Sequence, residues 1–133
     1  MRNDTPIAGV KAYYDFHVLS DGRIIGWADG SIFFVYDPAQ HRMLKQTASE
    51  ELHAPSAQGP RLFAESNGRV YGILTDGIAV YDPEAMVMKR IAASPVPVGG
   101  GSAVVDGRYY FFSRGRIYSY ALNRPIPPVM PDR

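Results

Sequence analysis

Cysteine is absent from this 133-residue chain. That excludes disulfides, thiolate nucleophiles and cysteine-ligated metals, and it leaves the compartment open. An excess of either charge is missing too, since 14 Lys+Arg against 13 Asp+Glu give a formal net charge of +1. A field that small does not gather nucleic acid or anionic lipid, and no run of basic residues supplies a local one. Neither nucleic acid nor membrane is therefore expected as a partner. No stretch approaches the roughly 20 apolar residues of a spanning helix, and Met1 to Gly9 holds no apolar core of the secretory-leader kind. Nucleophile-elbow, zinc and nucleotide fingerprints are missing, and Gly99-Gly100-Gly101 is followed by no Lys-Ser/Thr pair. No cofactor is expected.

What the chain does have is aromatics, glycine and proline. Nine Tyr, six Phe, 13 Gly and 11 Pro favour strands and turns over helices. One phrase recurs three times. It runs from Asp21-Gly22-Arg23 to Tyr36-Asp37-Pro38, from Asn67-Gly68-Arg69 to Tyr81-Asp82-Pro83, and from Asp106-Gly107-Arg108 to Tyr120 without the final Asp-Pro. Self-similarity at this period marks stacked supersecondary units within one domain, 1–133. The repeats span about residues 9–47, 58–92 and 101–122, and a proline-rich tail covers 123–133.

Each repeat reads as strand, turn, strand, turn, strand. Asp21-Gly22, Asn67-Gly68 and Asp106-Gly107 are hairpin signals because Asn, Asp and Gly tolerate positive φ. A second set follows at Asp29-Gly30, Asp76-Gly77 and Arg114-Gly115. In the first two copies Asp-Pro turns the chain into a fourth strand, His41 to Gln46 and Met86 to Ile91. Stretches such as Ile32 to Tyr36 and Tyr109 to Phe112 are apolar at both parities, so their sheets need cover on both faces. The expected fold is all-β, with about three four-stranded antiparallel sheets stacked face to face.

With Asp21-Gly22-Arg23-Ile24-Ile25-Gly26 and its counterparts, and Val-Tyr-Asp-Pro in the first two units, the chain resembles over residues 9 to 122 the β-propeller superfamily, in which such phrases recur once per blade. The likeness is to kelch, quinoprotein-like and streptogramin-lyase-like blades. Kelch repeats carry a Gly-Gly pair with spaced Tyr and Trp; here only Gly99-Gly100-Gly101 echoes the pair. The resemblance implies a β-propeller-type fold. Three blades make a partial or half propeller, since closed rings typically have four to eight. The bare outer faces of the first and last blades imply a homo-oligomer, a partner that is another propeller segment, or a fragment of a larger propeller. Two copies in head-to-tail rotation would give six blades. Val10 to Tyr14 could complete the third sheet, in this chain or a neighbour's.

The connections Thr47 to Pro60 and Ala92 to Gly101 cross the side on which such proteins hold ligands, so a protein or glycan ligand is expected there. Within the first, Ser49-Glu50-Glu51 could start one helical turn before Pro55 ends it. Arg23, Arg69 and Arg108 occupy equivalent positions and could present a ring of anion-binding forks. The alternative is that each lays its stem over an aromatic neighbour. Trp27 and Tyr71 could stack on sugar rings or pack between sheets. Tyr36, Tyr81 and Tyr120 each close a third strand and would send a hydroxyl to a partner. His17, with Asp15, could face a central channel; His17, His41 and His53 lack metal-ligand spacing. The turn carboxylates need only local backbone to explain them. Together these point to a non-catalytic binding or scaffold module. The rival is a glycan-active hydrolase or lyase with carboxylates, His17 and the arginines at a channel mouth.

Overall fold

The computed structural model describes residues 13–29, 32–48, 62–99 and 103–122. They form strands β1 (Tyr13–Val18), β2 (Ile24–Ala28), β3 (Ile32–Asp37), β4 (Arg42–Ala48), β5 (Leu62–Ser66), β6 (Arg69–Leu74), β7 (Gly77–Asp82), β8 (Val87–Ala93), β9 (Ala103–Val105), β10 (Arg108–Ser113) and β11 (Arg116–Ala121). The fold is all-β, and among the described residues no helix is long and apolar enough to cross a membrane. Three separate antiparallel sheets follow one another, ordered β1-β2-β3-β4, β5-β6-β7-β8 and β11-β10-β9. The third has three strands among the described residues, one fewer than expected for a full unit. Tyr13 and Tyr14 do not complete it: they open β1, where Tyr13 pairs with Ala28. Val10 to Ala12, the Ser49-Glu50-Glu51 segment, His53 and the 123–133 tail lie outside the described residues.

The turns follow from residue chemistry. Asn67 and Gly68 have φ of 53° and 74°, Asp106 and Gly107 51° and 73°, and Arg114 and Gly115 49° and 77°. Two consecutive positive values are the primed turn that matches strand twist. At Asp21-Gly22 the loop is one residue longer: the Gly22 N–H donates to Leu19 O at 2.9 Å and the Leu19 N–H to Arg23 O at 2.8 Å. Asp37 and Asp82 act on the backbone after them. Asp37 Oδ1 accepts from the Ala39 N–H at 2.9 Å, and Asp82 Oδ1 from the Glu84 N–H at 3.0 Å. His41 (φ 52°) and Met86 (φ 56°) close these turns in left-handed conformation.

One turn departs from expectation. Leu74 pairs with Gly77, so the loop is Thr75-Asp76 and Gly77 already belongs to β7. A Cβ on Gly77 would collide with the Ala92 carbonyl and the Arg90 guanidinium, where β7 and β8 pass through a bulge. Glycine is needed there for close approach of strands, not for the turn.

Sheet-on-sheet packing explains the unbroken apolar strands. Each sheet has a leading face, toward the next sheet in the chain, and a trailing face. Ile25, Trp27, Phe33 and Val35 on the leading face of the first sheet pack against Phe63, Val70, Leu74 and Tyr81 on the trailing face of the second. Tyr71, Ile73, Ile78 and Val80 on the leading face of the second meet Tyr109, Phe111, Tyr118 and Tyr120 on the trailing face of the third. The middle sheet is thus covered on both sides. Trp27 stacks on Phe63 (centroids 5.4 Å apart, 11° between planes), and Gly72 makes room for its ring. The first strands of successive sheets lie beside one another, β1 by β5 and β5 by β9.

Candidate functional site

Two recesses open between the sheets, at opposite ends of the strands. The first, about 630 Å³, lies at the hairpin-turn end between the first and second sheets. The Leu19–Arg23 loop, the Asn67-Gly68 turn and the Asp82-Pro83 turn bring charged side chains to its rim. Asp21, Glu65 and Asp82 face Arg23, Arg69 and Lys89, so formal charges cancel.

Most of these charges are already spent on one another. Arg23 Nη2 lies 2.7 Å from Asp21 Oδ2, and Arg23 Nε donates to the same oxygen at 2.7 Å. This pairing holds the Asp21 carboxyl below its ordinary value and raises the Arg23 guanidinium. Lys89 Nζ sits 2.9 Å from Asp82 Oδ2, and its hydrogen bond, with those from the 84–85 backbone, lowers the Asp82 carboxyl. His17 Nε2 lies 2.8 Å from Glu65 Oε1, bridging β1 and β5. Deeper in the wall, the Tyr81 hydroxyl is buried with no hydrogen-bond partner, and burial raises its pKa above the usual phenol value. The expectation that Tyr81 sends its hydroxyl to a partner is thus corrected: the ring packs in the apolar cluster against Phe33, and the hydroxyl bonds to none of the charged groups at the rim.

The second recess, about 150 Å³, lies at the opposite end, between the second and third sheets under the 94–98 segment. Its walls are Ile73, Ile78, Val96, Val98 and the aromatic rings of Tyr109, Phe111, Tyr118 and Tyr120. Tyr109, Phe111 and Tyr118 form a stacked row, with centroids 5.9 and 5.7 Å apart. The cover is tied down from both sides. The Val98 N–H donates to Thr75 O at 2.7 Å, and the Gly99 N–H to Phe112 O at 2.8 Å. Ser94 Oγ donates to Val96 O at 2.5 Å, stiffening the short proline-flanked arch.

The six residues singled out from sequence are spread over the molecule. Arg23 and Arg69 share the charged recess. Arg108 stands on the third sheet, where its guanidinium donates to Ser119 Oγ at 2.9 and 3.1 Å. Arg108 thus holds on the third sheet the place that Arg23 and Arg69 hold on theirs, outside the recess those two share. Trp27 and Tyr71 are buried between sheets, and Tyr71 Oη donates to the Leu122 carbonyl at 2.7 Å. Neither shows a ring face to the surface. His17 stands beside Phe63 and is bound to Glu65. Its expected companion Asp15 accepts instead from the Phe16 N–H at 3.0 Å.

Sequence reading missed the aromatic recess. Its residues sit in the third repeat, where Tyr109, Phe111, Tyr118 and Tyr120 take positions held in the second by Val70, Gly72, Ala79 and Tyr81. That enrichment of rings on one parity was the available signal. Among the described residues no group of three His, Asp or Glu side chains could hold a metal ion. No protein-family model matches the sequence, and no curated protein aligns with it significantly.

Proposed function

We propose that this chain is a non-catalytic binding and scaffold module of β-propeller type, a self-assembling half propeller that holds a protein or glycan ligand on the side crossed by the inter-sheet connections. The observation that carries the ligand half of this reading is the aromatic recess beneath residues 94–98. A volume of about 150 Å³ is the size of one benzene-like ring, and walls of stacked tyrosine and phenylalanine suit an apolar or aromatic side chain, a proline ring or the apolar face of a sugar. Propeller geometry draws support from the three sheets stacking in one sense and from the nearness of their first strands.

A hydrolase or lyase is the weaker reading. General acid catalysis needs a carboxyl whose pKa is raised toward neutrality. In the charged recess both Asp21 and Asp82 are shifted the other way, by partners that keep them ionised.

Methyl-labelled Ile and Val with NMR readout test the proposal, using phenol, N-acetylproline amide and methyl glucoside as probes. Binding shifts the methyl signals of Ile73, Ile78, Val96 and Val98, and Tyr118→Ala removes the shifts. Probes that leave those four residues unmoved at millimolar concentration refute the ligand site.

A further inference from the structure

The repeats can be laid over one another residue by residue, and the overlay shows which sheet faces are missing a neighbour. Leading-face positions are Trp27, Ile73 and Phe112 on the second strands, and Phe33, Ile78 and Ile117 on the third. In the first two sheets all four such residues are buried against the sheet that follows. On the third sheet the same positions are bare: Phe112 is 53% exposed and Ile117, its direct cross-strand partner, 67%. Trailing-face positions on the first strands are Phe16 and Phe63. Phe63 is buried under Trp27, whereas Phe16 is 57% exposed and its neighbour on that face, Val18, 62%. Among the described residues the large exposed hydrophobics all belong to the first and third sheets, and the middle sheet has none.

We infer that the leading face of the third sheet docks on the trailing face of the first sheet in a second copy of this chain, with Phe112 and Ile117 of one copy against Phe16 and Val18 of the other. The inference rests on the propeller-type reading above, because it extends the internal stacking by one more step. A second copy is the fitting occupant because each chain carries both halves of the contact, in the faces its own internal interfaces use.

The sizes agree with this pairing. Trp27, the knob of the first internal interface, lies over Gly72 and beside Ala79 on the second sheet. On the trailing face of the first sheet, Phe34 replaces Ala79 and lies over Gly26, with Tyr13 and Phe16 edge-on to it at 5.8 and 6.0 Å. That surface is therefore shallower. The knob offered by the third sheet is correspondingly smaller, Phe112 in place of Trp27. A contact between two different faces is heterologous, so it continues or closes into a ring, and two copies give six sheets.

The test uses two variants that each lose one face. Phe112→Glu with Ile117→Glu disables the leading face; Phe16→Glu with Val18→Glu disables the trailing face. All four side chains are more than half exposed, and far-UV circular dichroism confirms that each variant keeps its strands. Because Phe16 touches Phe34, Val18→Glu alone serves as the milder second trailing-face variant. Sedimentation equilibrium gives the mass. The wild type is expected at twice the 14.7 kDa chain mass. Each variant alone is a monomer, with association weakened about 30-fold or more, as for a central interface residue. Mixing the two variants restores a one-to-one dimer through the single intact pair of faces.

A wild-type monomer across a hundredfold concentration range overturns the inference. So does a dimer that survives the trailing-face variant, which would mean two like faces meeting, or one that survives both. Repeating the probe titration on the monomeric leading-face variant separates the two proposals: methyl shifts that persist there keep the ligand site even when docking fails, and shifts that vanish in a proven dimer do the reverse.

Discussion

Two buried tyrosines, Tyr71 and Tyr81, should respond to the same substitution with opposite sign. Both are core residues, 1% and 8% exposed, on β6 and β7 of the middle sheet. The Tyr71 hydroxyl donates to the Leu122 carbonyl at 2.7 Å, while the Tyr81 hydroxyl has no partner. Tyr71→Phe removes a bond and strands a carbonyl on a residue that is itself buried, a cost of about 1–3 kcal/mol. Tyr81→Phe removes an oxygen that gains nothing from burial. The net effect lies between zero and about 1–2 kcal/mol of stabilisation, the reversed desolvation penalty of an unpaired hydroxyl. Urea unfolding read by the fluorescence of Trp27, the chain's one tryptophan, and by circular dichroism measures both. The two midpoints should move apart, Tyr71→Phe down and Tyr81→Phe unchanged or up. Equal losses would refute the assignment of hydrogen bonds. The same hydroxyl has a signature in alkali. Burial raises the Tyr81 pKa above 10.0, so its contribution is complete below pH 10 and is lost as pH rises through the folded value. Tyr81→Phe should remove that portion of alkaline destabilisation.

The close approach of the first two sheets gives a further test. A Cβ on Gly72 would lie 2.7 Å from Trp27 Cζ2 and 3.2 Å from Met88 Cε, so Gly72→Ala should cost about 1–3 kcal/mol by overpacking. Trp27→Phe in the same chain should recover part of that loss in circular-dichroism melts, and strict additivity would show that the two residues do not touch. In acid, the lowered Asp21 and Asp82 carboxyls act through linkage. Their contribution is complete above the ordinary value of 3.8 and is lost as pH falls through the lower folded values. Asp21→Asn with Asp82→Asn should therefore flatten the stability profile below pH 4, and an unchanged profile would deny the two pairs a role.

Local chemistry made the strands and most turns readable. Asn67-Gly68 and Asp106-Gly107 adopt the positive φ their residues favour, because a two-residue hairpin depends on little beyond itself. Gly77 misled for the opposite reason: its role is set by Arg90 and Ala92 across the sheet, which no neighbouring residue announces. The need for two covered faces was legible in Ile78-Ala79-Val80-Tyr81, and the middle sheet meets it. Which side chains share a recess was not legible, since that depends on how sheets stack. Arg23, Arg69 and Arg108 hold one repeat position, and only stacking brings the first two into a shared recess between their sheets. For Trp27 and Tyr71 packing between sheets was the reading the sequence favoured over a platform, and the neighbouring sheets bury both.

Among the described residues every strand pairs only with the strand before or after it in sequence. Seen as a folding problem, each sheet assembles from hairpins whose loops close at small entropic cost. Such a chain has low contact order within its sheets, and long-range search is confined to bringing finished sheets together. An all-β protein of this design can fold faster than a sandwich of equal size, whose sheets exchange strands across the whole chain. Burial of Trp27 between the first two sheets is one of those docking events, and the single indole reports it directly.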